Sequence, residues 1–265
     1  MSKFKFIDLF AGIGGIRIPF EDLGGECVFT SEFDKFAQIT YEANFGEMPR
    51  GDITEIDEKD IPEHDVLLAG FPCQAFSNAG LKQGFKDKYE DPSTGIVRAR
   101  GTLFFDIARI LKHHRPQAFL LENVKGLRGH DGGNTLRTII KVLNDDLEYD
   151  LNIDVLNAKH FGLPQNRERI FIIGFKEASN FRFPEPSMEK TRLGNILHRN
   201  ASDKLTLSDL LWASHQKRKK KAMAKGYGFG YSLFNRESEY TSTISARYYK
   251  DGSEILIEQK GKNPR

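Results

Sequence analysis

Short apolar runs alternate with amphipathic stretches along roughly the first 176 residues of the chain. The apolar runs predict β-strands at Lys5–Phe10, Cys27–Ser31, Val66–Ala69, Ala118–Leu121, Ile153–Leu156 and Ile170–Phe175. Apolar residues recur at helical spacing in Thr102–Lys112 and Thr135–Leu147. This alternation predicts an α/β fold, with a doubly wound and largely parallel sheet covered by helices on both faces. Ligands bind beyond the carboxyl ends of the strands in such a sheet. The candidate loops therefore follow Phe10, Ser31, Gly70 and Glu122.

The pattern changes beyond about residue 180, where prolines, glycines and tyrosines become frequent. Thr241–Tyr249 and Glu254–Glu258 alternate between apolar and polar residues, which predicts two strands joined by a turn at Lys250-Asp251-Gly252. We therefore predict two domains: residues 1–180 form the larger α/β domain, and residues 181–265 form a smaller, β-rich domain.

The composition of these 265 residues is that of a globular protein. No apolar run approaches the roughly 18–20 residues of a membrane span, and Asp8 interrupts the N-terminal apolar stretch before a signal-type segment forms. We therefore expect a cytoplasmic protein without a membrane partner. Cys27 and Cys73 cannot form a disulfide framework, and no zinc-ligand spacing is present, so no metal is expected.

The net charge of +2 conceals an asymmetry between the two parts of the chain. Residues 201–265 contain 13 lysines and arginines against 7 acidic residues, while the rest of the chain is slightly acidic. The run Lys217–Lys221 dominates this basic segment and is predicted to lie in a loop. Such a segment suits a phosphate-backbone partner, but it is equally compatible with a solvated loop.

A glycine cluster joins the first predicted strand to a helix, in the segment Phe6–Gly15. Backbone N–H groups at a helix start can face an anionic or polar ligand, although the cluster also suits a structural turn. It is not a P-loop, because no Gly-Lys-Ser/Thr follows it, and Arg17 occupies the third glycine position of a dinucleotide fingerprint. Glu32 ends the second strand, where an acid can accept hydrogen bonds from ribose hydroxyls. Glu32 and Asp52 also fit as cap or turn residues.

A nucleophile candidate lies in the segment Gly70–Ser77. Pro72 cannot continue a helix, which places Cys73 on a loop at a strand end. A thiol with an ordinary pKa is mostly protonated at neutral pH, so Cys73 needs a lowered pKa or an activated electrophile. Cys27 lies inside an apolar run and is interpreted as an inert core thiol.

Charged residues at two further strand ends complete the candidate chemistry. Glu122 follows the run Ala118–Leu121 and is either a proton donor or an ordinary exposed acid. Arg167 and Arg169 share one face if the following strand begins there, and two such guanidinium groups suit a phosphate or a base edge.

Taken together, four segments resemble the C5-cytosine DNA methyltransferase family, in order and spacing along nearly the whole chain. They are Phe6–Gly15, Gly70–Ser77, Glu122–Val124 and Gln165–Arg169. The resemblance implies a Rossmann-like, S-adenosylmethionine-dependent methyltransferase sheet with a small target-recognition domain. It also implies methyl transfer to cytosine C5 in a specific duplex DNA sequence, with S-adenosylhomocysteine as the product.

The resemblance assigns roles to single residues. Cys73 corresponds to the nucleophile that adds to cytosine C6, and Glu122 to the acid that protonates or hydrogen-bonds N3. Arg167 and Arg169 correspond to arginines that hold the cytosine and the loop around it. The cofactor pocket would be formed by Phe10, Ala11, Gly12, Gly14, Gly15, Glu32, Phe33, Asp52, Ile53, Pro72 and Leu103. The DNA, with its target base flipped out, would be contacted by Gln74, Ser77 and Thr243.

Two departures from the family leave alternatives open. Residues 88–99 lengthen the nucleophile loop, and the sequence ends before the family's Pro-Arg-Glu-Cys and Gly-Asn-Ser-Val segments. One alternative is a catalytically incomplete subunit that needs a second polypeptide. Another is a tRNA cytosine-C5 methyltransferase, since a related branch uses the same motifs.

Overall fold

The computed structural model describes residues 3–71, 103–187, 189–199, 201–228, 230–244 and 254–265, together with the backbone of 88–90 and 97–99. The chain divides into two compact units. The first unit comprises Met1–Val155 and Arg169–Phe183, and the second comprises Leu156–Glu168 and Pro184–Arg265. The chain therefore enters the second unit, returns to the first at Arg169 and leaves it again after Phe183.

The elements of the first 175 residues follow the predicted alternation. They are β1 (Phe4–Leu9), α1 (Arg17–Asp22), β2 (Gly25–Ser31), α2 (Lys35–Phe45), β3 (Val66–Ala69), β4 (Lys88–Glu90), β5 (Val97–Ala99), α3 (Leu103–His114), β6 (Ala118–Val124), α4 (Asn134–Ile140), β7 (Asp150–Asn157), β8 (Gln165–Asn166) and β9 (Glu168–Phe175). All six apolar runs that predicted strands lie in strands except for Phe10, which follows the end of β1, and most of these strands extend a few residues further.

A six-stranded sheet organises the first unit, in the order β2-β1-β3-β6-β9-β7. The neighbours β2, β1, β3 and β6 are parallel, and β9 is antiparallel to β6. The register pairs Leu9 with both Ser31 and Ala69, and Ala69 with Leu121. The carboxyl ends of these four strands therefore lie along one edge of the sheet, and β9 begins at the same edge because Arg169 pairs with Val124.

Apolar side chains on the strands and helices form the core of the first unit. Helix α3 buries Phe104, Ile107, Ile110 and Leu111, which includes most of its predicted apolar stripe. The predicted helix Thr135–Leu147 is α-helical only through Ile140 and continues as a π-helical segment over Lys141–Asp146. Its inward residues Ile139 and Leu143 remain buried.

The lengthened segment 88–99 contains a short antiparallel ladder at its two ends. Strand β4 pairs with β5, with Lys88 opposite Ala99 and Glu90 opposite Val97. Residues 91–96 lie outside the described part of the chain.

The second unit contains the 16-residue helix α5 (Asp209–Ala224) and the short strands β10 (Ser232–Phe234), β11 (Thr241–Ser242) and β12 (Ile255–Ile257). Strand β12 confirms the predicted strand at 254–258, and it pairs in parallel with β10. Strand β11 pairs in parallel with β8. The predicted turn at 250–252 and residues 245–249 lie outside the described residues.

The loop predicted for Lys217–Lys221 is wrong, because these residues belong to helix α5. The Ser208 side chain caps the helix by accepting a hydrogen bond from Leu211 N. Lysine and arginine are good helix formers, and a helix that is polar on most sides lacks the periodic signal that would have revealed it.

Within the described ranges, none of the helices combines the length and apolar composition of a membrane span. In the same ranges, no three histidine, cysteine, aspartate or glutamate side chains gather as metal ligands would.

Candidate functional site

The glycine cluster forms a tight loop between β1 and α1. Three of its residues have positive φ angles: Phe10 (56°), Gly12 (58°) and Gly14 (87°). The loop is held to the next strand by Ala11 N, which donates to Ser31 O at 3.0 Å, and it is closed by Gly14 N, which donates to Ala11 O at 2.9 Å. Positive φ is inexpensive for glycine but strained for phenylalanine, so the conformation at Phe10 depends on the surrounding packing.

Glu32 follows β2 and faces the glycine loop. Its carboxylate accepts hydrogen bonds from Gly12 N and Asp34 N, both at 2.7 Å. Its own N–H donates to Arg50 O at 2.8 Å, which fixes the backbone at this strand end. The Glu32 carboxylate therefore joins the glycine loop to the end of β2. Its hydrogen bonds hold it in a defined orientation at the carboxyl edge of the sheet.

Other predicted pocket residues surround the same edge or support it. The Phe33 ring is 76% exposed, and Gly15 is exposed. Asp52 caps a turn, because its Oδ1 accepts from Thr54 N at 2.9 Å and from Thr54 Oγ1 at 2.8 Å. Ile53 is buried in the core, and Leu103 packs against the core at the start of α3. Asp52 thus has the turn-capping role that its sequence context also allowed.

Two buried charged residues beneath the glycine loop were not identified from the sequence as site residues. Asp8 is fully buried in β1, and both its carboxylate oxygens lack a hydrogen-bond partner among the described residues. Arg17 is buried beside the Tyr41 hydroxyl at 2.7 Å, pairs with Glu21 and Glu47, and lies 4.3 Å from the Phe45 ring centroid. The sequence feature that could have identified Asp8 is its position as a charged residue inside the apolar run Phe6–Leu9.

Burial raises the pKa of Asp8 to about 7, with Arg17 acting in the opposite direction. The carboxyl group is therefore harder to ionise in the folded chain than in the unfolded chain, where its pKa is close to 3.8. The folded chain therefore binds this proton more tightly than the unfolded chain does. As a result, the contribution of Asp8 to the free energy of unfolding rises as the pH is lowered from above 7 towards 4.

Asp8→Asn should therefore increase the free energy of unfolding at pH 8, by up to about 4 kcal/mol. The gain should shrink with falling pH and be nearly gone at pH 4, where the carboxyl group is protonated in the folded chain and partly protonated in the unfolded chain. Urea denaturation of both proteins between pH 4 and 8 measures this difference. Burial lowers the pKa of His64, which destabilises the fold at acidic pH, but this contribution is common to both proteins and cancels. A difference that does not change with pH would contradict the prediction.

Gly14 and Gly15 provide a matched pair for testing the packing of the glycine loop. A Cβ at Gly14 would lie 2.0 Å from Phe45 Cε2, and its φ of 87° is unfavourable for alanine, whereas a Cβ at Gly15 would meet no atom within 4 Å. The Phe45 ring is held by Arg17 and by Tyr41, whose ring centroid is 4.6 Å away. We expect Gly14→Ala to lower the free energy of unfolding by about 1–3 kcal/mol. Gly15→Ala should change it by less than about 1 kcal/mol in the same denaturation experiment. Equal losses would contradict the assigned packing.

The ends of β6 and β9 bring two predicted catalytic residues together. Arg169 Nε lies 2.7 Å from Glu122 Oε1, and both side chains are about one-fifth exposed. The other carboxylate oxygen, Glu122 Oε2, lies 3.9 Å from the position of a Cβ at Gly70, which directly follows β3. Glu122 and Arg169 therefore form an oriented ion pair beside the strand end that leads to the predicted nucleophile.

Asn123 positions that strand end, a role that the sequence did not reveal. Its side chain is buried, and its Nδ2 donates to Phe71 O at 3.1 Å. Its Oδ1 accepts from Val124 N at 2.8 Å. Phe71 immediately precedes Pro72, so Asn123 fixes the backbone from which the nucleophile segment departs. The predicted site residues on that segment, namely Pro72, Cys73, Gln74 and Ser77, lie outside the described residues.

Arg167 and Thr243 belong to the second unit. Arg167 lies between β8 and β9, so the argument that it shares a strand face with Arg169 does not apply. Its N–H donates to Asn157 Oδ1 at 3.1 Å, and its carbonyl accepts from Ala158 N at 3.0 Å. Thr243 Oγ1 donates to Asn166 O at 2.8 Å. Within this unit, Thr243 therefore stabilises the backbone immediately before Arg167.

Cys27 is a free thiol in β2 and is partly buried. Burial raises its pKa to about 12, so it stays protonated at neutral pH. Its Sγ lies 3.7 Å from Phe29 O. These properties agree with an unreactive thiol.

The fold and this edge define an enzyme of the Rossmann-like class. A glycine loop and an oriented acid form a site typical of nucleotide-containing cofactors, and a Glu–Arg pair lies at the neighbouring strand ends. The model of the C-5 cytosine-specific DNA methylase family matches residues 4–265, and the chain belongs to this family of DNA cytosine methyltransferases.

Bacterial proteins of high identity agree with this assignment. The chain is 58% identical over 268 residues to the Type II methyltransferase M.DsaV of Dactylococcopsis salina, covering all of this chain and 73% of that protein. It is 59% identical over 270 residues to the Type II methyltransferase M1.ScrFI of Lactococcus lactis subsp. cremoris, of which it spans 66%. The comparisons give no support for a second polypeptide.

Solved structures of lower identity share the fold. Dnmt2 methyltransferase of S. pombe matches with a TM-score of 0.67 at 17% identity, covering 98% of this chain and 78% of that chain. The Entamoeba histolytica methyltransferase EhMeth matches with a TM-score of 0.75 at 18% identity, covering 100% of this chain and 83% of that chain.

Proposed function

We propose that this chain methylates C5 of cytosine within a specific double-stranded DNA sequence through a covalent bond between Cys73 and cytosine C6. S-adenosylmethionine supplies the methyl group when it is bound. The relatives named as Type II methyltransferases support a role in a bacterial restriction–modification system.

The proposed chemistry begins at the cytosine ring. Cys73 loses its thiol proton to solvent, and Sγ adds to C6 while Glu122 donates a proton or hydrogen bond to N3. The electron pair displaced from the C5–C6 double bond is thereby accommodated by the ring. C5 becomes nucleophilic and accepts the methyl group. Loss of the C5 proton to water then expels Cys73 Sγ, the proton on N3 returns to Glu122, and the aromatic ring is restored. The base must first leave the duplex stack, since neither C5 nor C6 is accessible to a thiol from within it.

The observation that carries this proposal is the Glu122–Arg169 pair beside Gly70. The arginine holds the carboxyl group in a fixed orientation, and Asn123 holds the start of the segment that contains Cys73. The segment that carries the nucleophile would therefore begin close to Glu122, the acid that activates the cytosine ring. We assign to Arg167 the further role of holding the segment around the cytosine.

The glycine loop supports the proposed binding of S-adenosylmethionine. Glu32 is oriented by Gly12 N and Asp34 N in a position suited to ribose hydroxyls. The exposed Phe33 ring supplies an apolar surface for an adenine ring. We assign the remaining pocket roles to Phe10, Ala11, Gly14, Gly15, Asp52, Ile53, Pro72 and Leu103.

Transfer of labelled methyl from S-adenosylmethionine tests this function. The purified protein should label unmethylated duplex DNA, and digestion to nucleosides should place the label on C5 of cytosine. Duplex DNA already methylated at C5 in the target sequence should accept no label, which serves as the matched control. Label in tRNA with none in DNA would overturn the proposal in favour of the tRNA alternative.

A further inference from the structure

Helix α5 carries five consecutive basic residues, Lys217–Lys221, which differ in their surroundings. Two of them contact the rest of the second unit. Arg218 Nη2 lies 2.6 and 2.8 Å from the two carboxylate oxygens of Glu254, whose side chain is mostly buried. Lys219 Nζ donates to Tyr231 O at 2.8 Å and lies 4.3 Å from the Tyr231 ring centroid. Arg218, whose charge is neutralised by Glu254, and Lys219, which packs on Tyr231, therefore anchor the helix to the rest of the second unit.

The other three basic residues form a separate surface. Lys217, Lys220 and Lys221 are exposed, and the structure records no ion pair for them with any described residue. Their i, i+3 and i+4 spacing places them within about 100° on one side of the helix, with Lys219 on the opposite side and Arg218 about 60° beyond Lys221. We call this set the lysine face.

Folding alone gives little reason for the lysine face. Three like charges at this spacing repel one another, and the helix dipole favours a cation only in the last turn, where Lys221 lies. The acidic residue of the helix sequence, Asp209, is in the first turn, two turns away from Lys217. A polyanion bound along this side of the helix would neutralise all three charges.

We propose that the lysine face contacts the phosphate backbone of the DNA substrate and strengthens binding without selecting the sequence. The inference rests on the proposed action on duplex DNA. It divides the basic run into two anchoring residues and three DNA-contacting residues. Phosphate contacts release counterions, so their contribution appears in the salt dependence of binding and not in the preference for one sequence.

The test compares two triple variants of the whole protein. Lys217→Gln/Lys220→Gln/Lys221→Gln removes the lysine face, and glutamine preserves helix propensity. Lys59→Gln/Lys112→Gln/Lys176→Gln removes three exposed charges from the first unit, near the edge opposite the glycine loop. Duplex binding is measured between about 50 and 200 mM salt, with target and non-target sequences. Circular dichroism verifies that both variants are folded.

Removal of the lysine face should reduce the slope of log K against log salt by about 2–3, since each phosphate contact contributes about 0.9. The affinities for target and non-target duplexes should fall by the same factor. The control variant should retain the wild-type slope. Arg218→Gln should lower the melting temperature but leave the salt slope close to that of the wild-type protein, because Arg218 pairs with Glu254.

Two outcomes separate this inference from the proposed function. If the wild-type protein binds and methylates DNA but the lysine-face variant keeps its slope, the inference is wrong and the function stands. If the wild-type protein transfers no methyl to duplex DNA, the proposed function fails, and the inference fails with it.

Discussion

Cys73→Ser should abolish methyl transfer, with a single-turnover rate at least about 10³-fold below that of the wild-type protein. A serine hydroxyl has nearly the size of a thiol but is a far weaker nucleophile towards C6, because it is almost entirely protonated at neutral pH. Cofactor affinity should change by less than about threefold, since the oriented contacts of the glycine loop with Glu32 are unaltered. Rapid-quench transfer of labelled methyl measures the rate, and equilibrium dialysis measures the affinity.

Cys27→Ser is the matched control for this substitution. Burial raises the Cys27 pKa to about 12, and the residue lies within β2. The variant should retain activity, with a loss of about 1–3 kcal/mol in unfolding free energy if its hydroxyl stays unpaired. A dispensable Cys73 together with an essential Cys27 would reverse the assignment of the nucleophile.

Glu122→Gln should lower the rate of transfer by about 10²–10⁴-fold. Glutamine preserves the size of the side chain and a contact with Arg169, but it cannot deliver the proton that activates the ring. Substrate binding should change much less than the rate, because the proton of Glu122 is needed mainly as the thiolate adds to C6. Single-turnover rates at saturating DNA separate the two effects.

Glu58→Gln provides a close control, because Glu58 and Arg109 form an ion pair of the same 2.7 Å length elsewhere in the first unit. Both substitutions remove a partly exposed carboxylate from an arginine, and each should cost little stability. Glu58→Gln should leave the rate unchanged. Similar losses of activity in the two variants would show that the effect of Glu122→Gln comes from breaking an ion pair.

The sheet could be predicted from the sequence because buried parallel strands are continuous apolar runs with little ambiguity. The position of the site also followed, since ligands bind where parallel strands end. The register supports this inference by aligning the ends of β1, β2, β3 and β6. The pairing of Glu122 with Arg169 was harder to predict, because it depends on β9 running antiparallel beside β6.

The features that the sequence did not reveal depend on contacts between distant residues. Asn123 is an ordinary polar residue until its side chain is placed against Phe71 O. Asp8 becomes unusual only when burial removes both water and partners from its carboxylate. Strand β12 pairs with β10, about twenty residues earlier, which no local turn signal could indicate. Composition likewise could not distinguish a basic helix from a basic loop at Lys217–Lys221.

The path of the chain between the units constrains how chimeric enzymes can be built from this family. The first unit is discontinuous: it ends at Val155, resumes at Arg169 and closes at Phe183. A hybrid with one crossover near residue 183 would exchange most of the second unit but would keep the host's own residues 156–168. Thr243 of the donor would then have to bond to Asn166 of the host, and the donor's β11 would have to pair with the host's β8. Transplanting both pieces together, with junctions at 155/156, 168/169 and 183/184, would preserve these contacts.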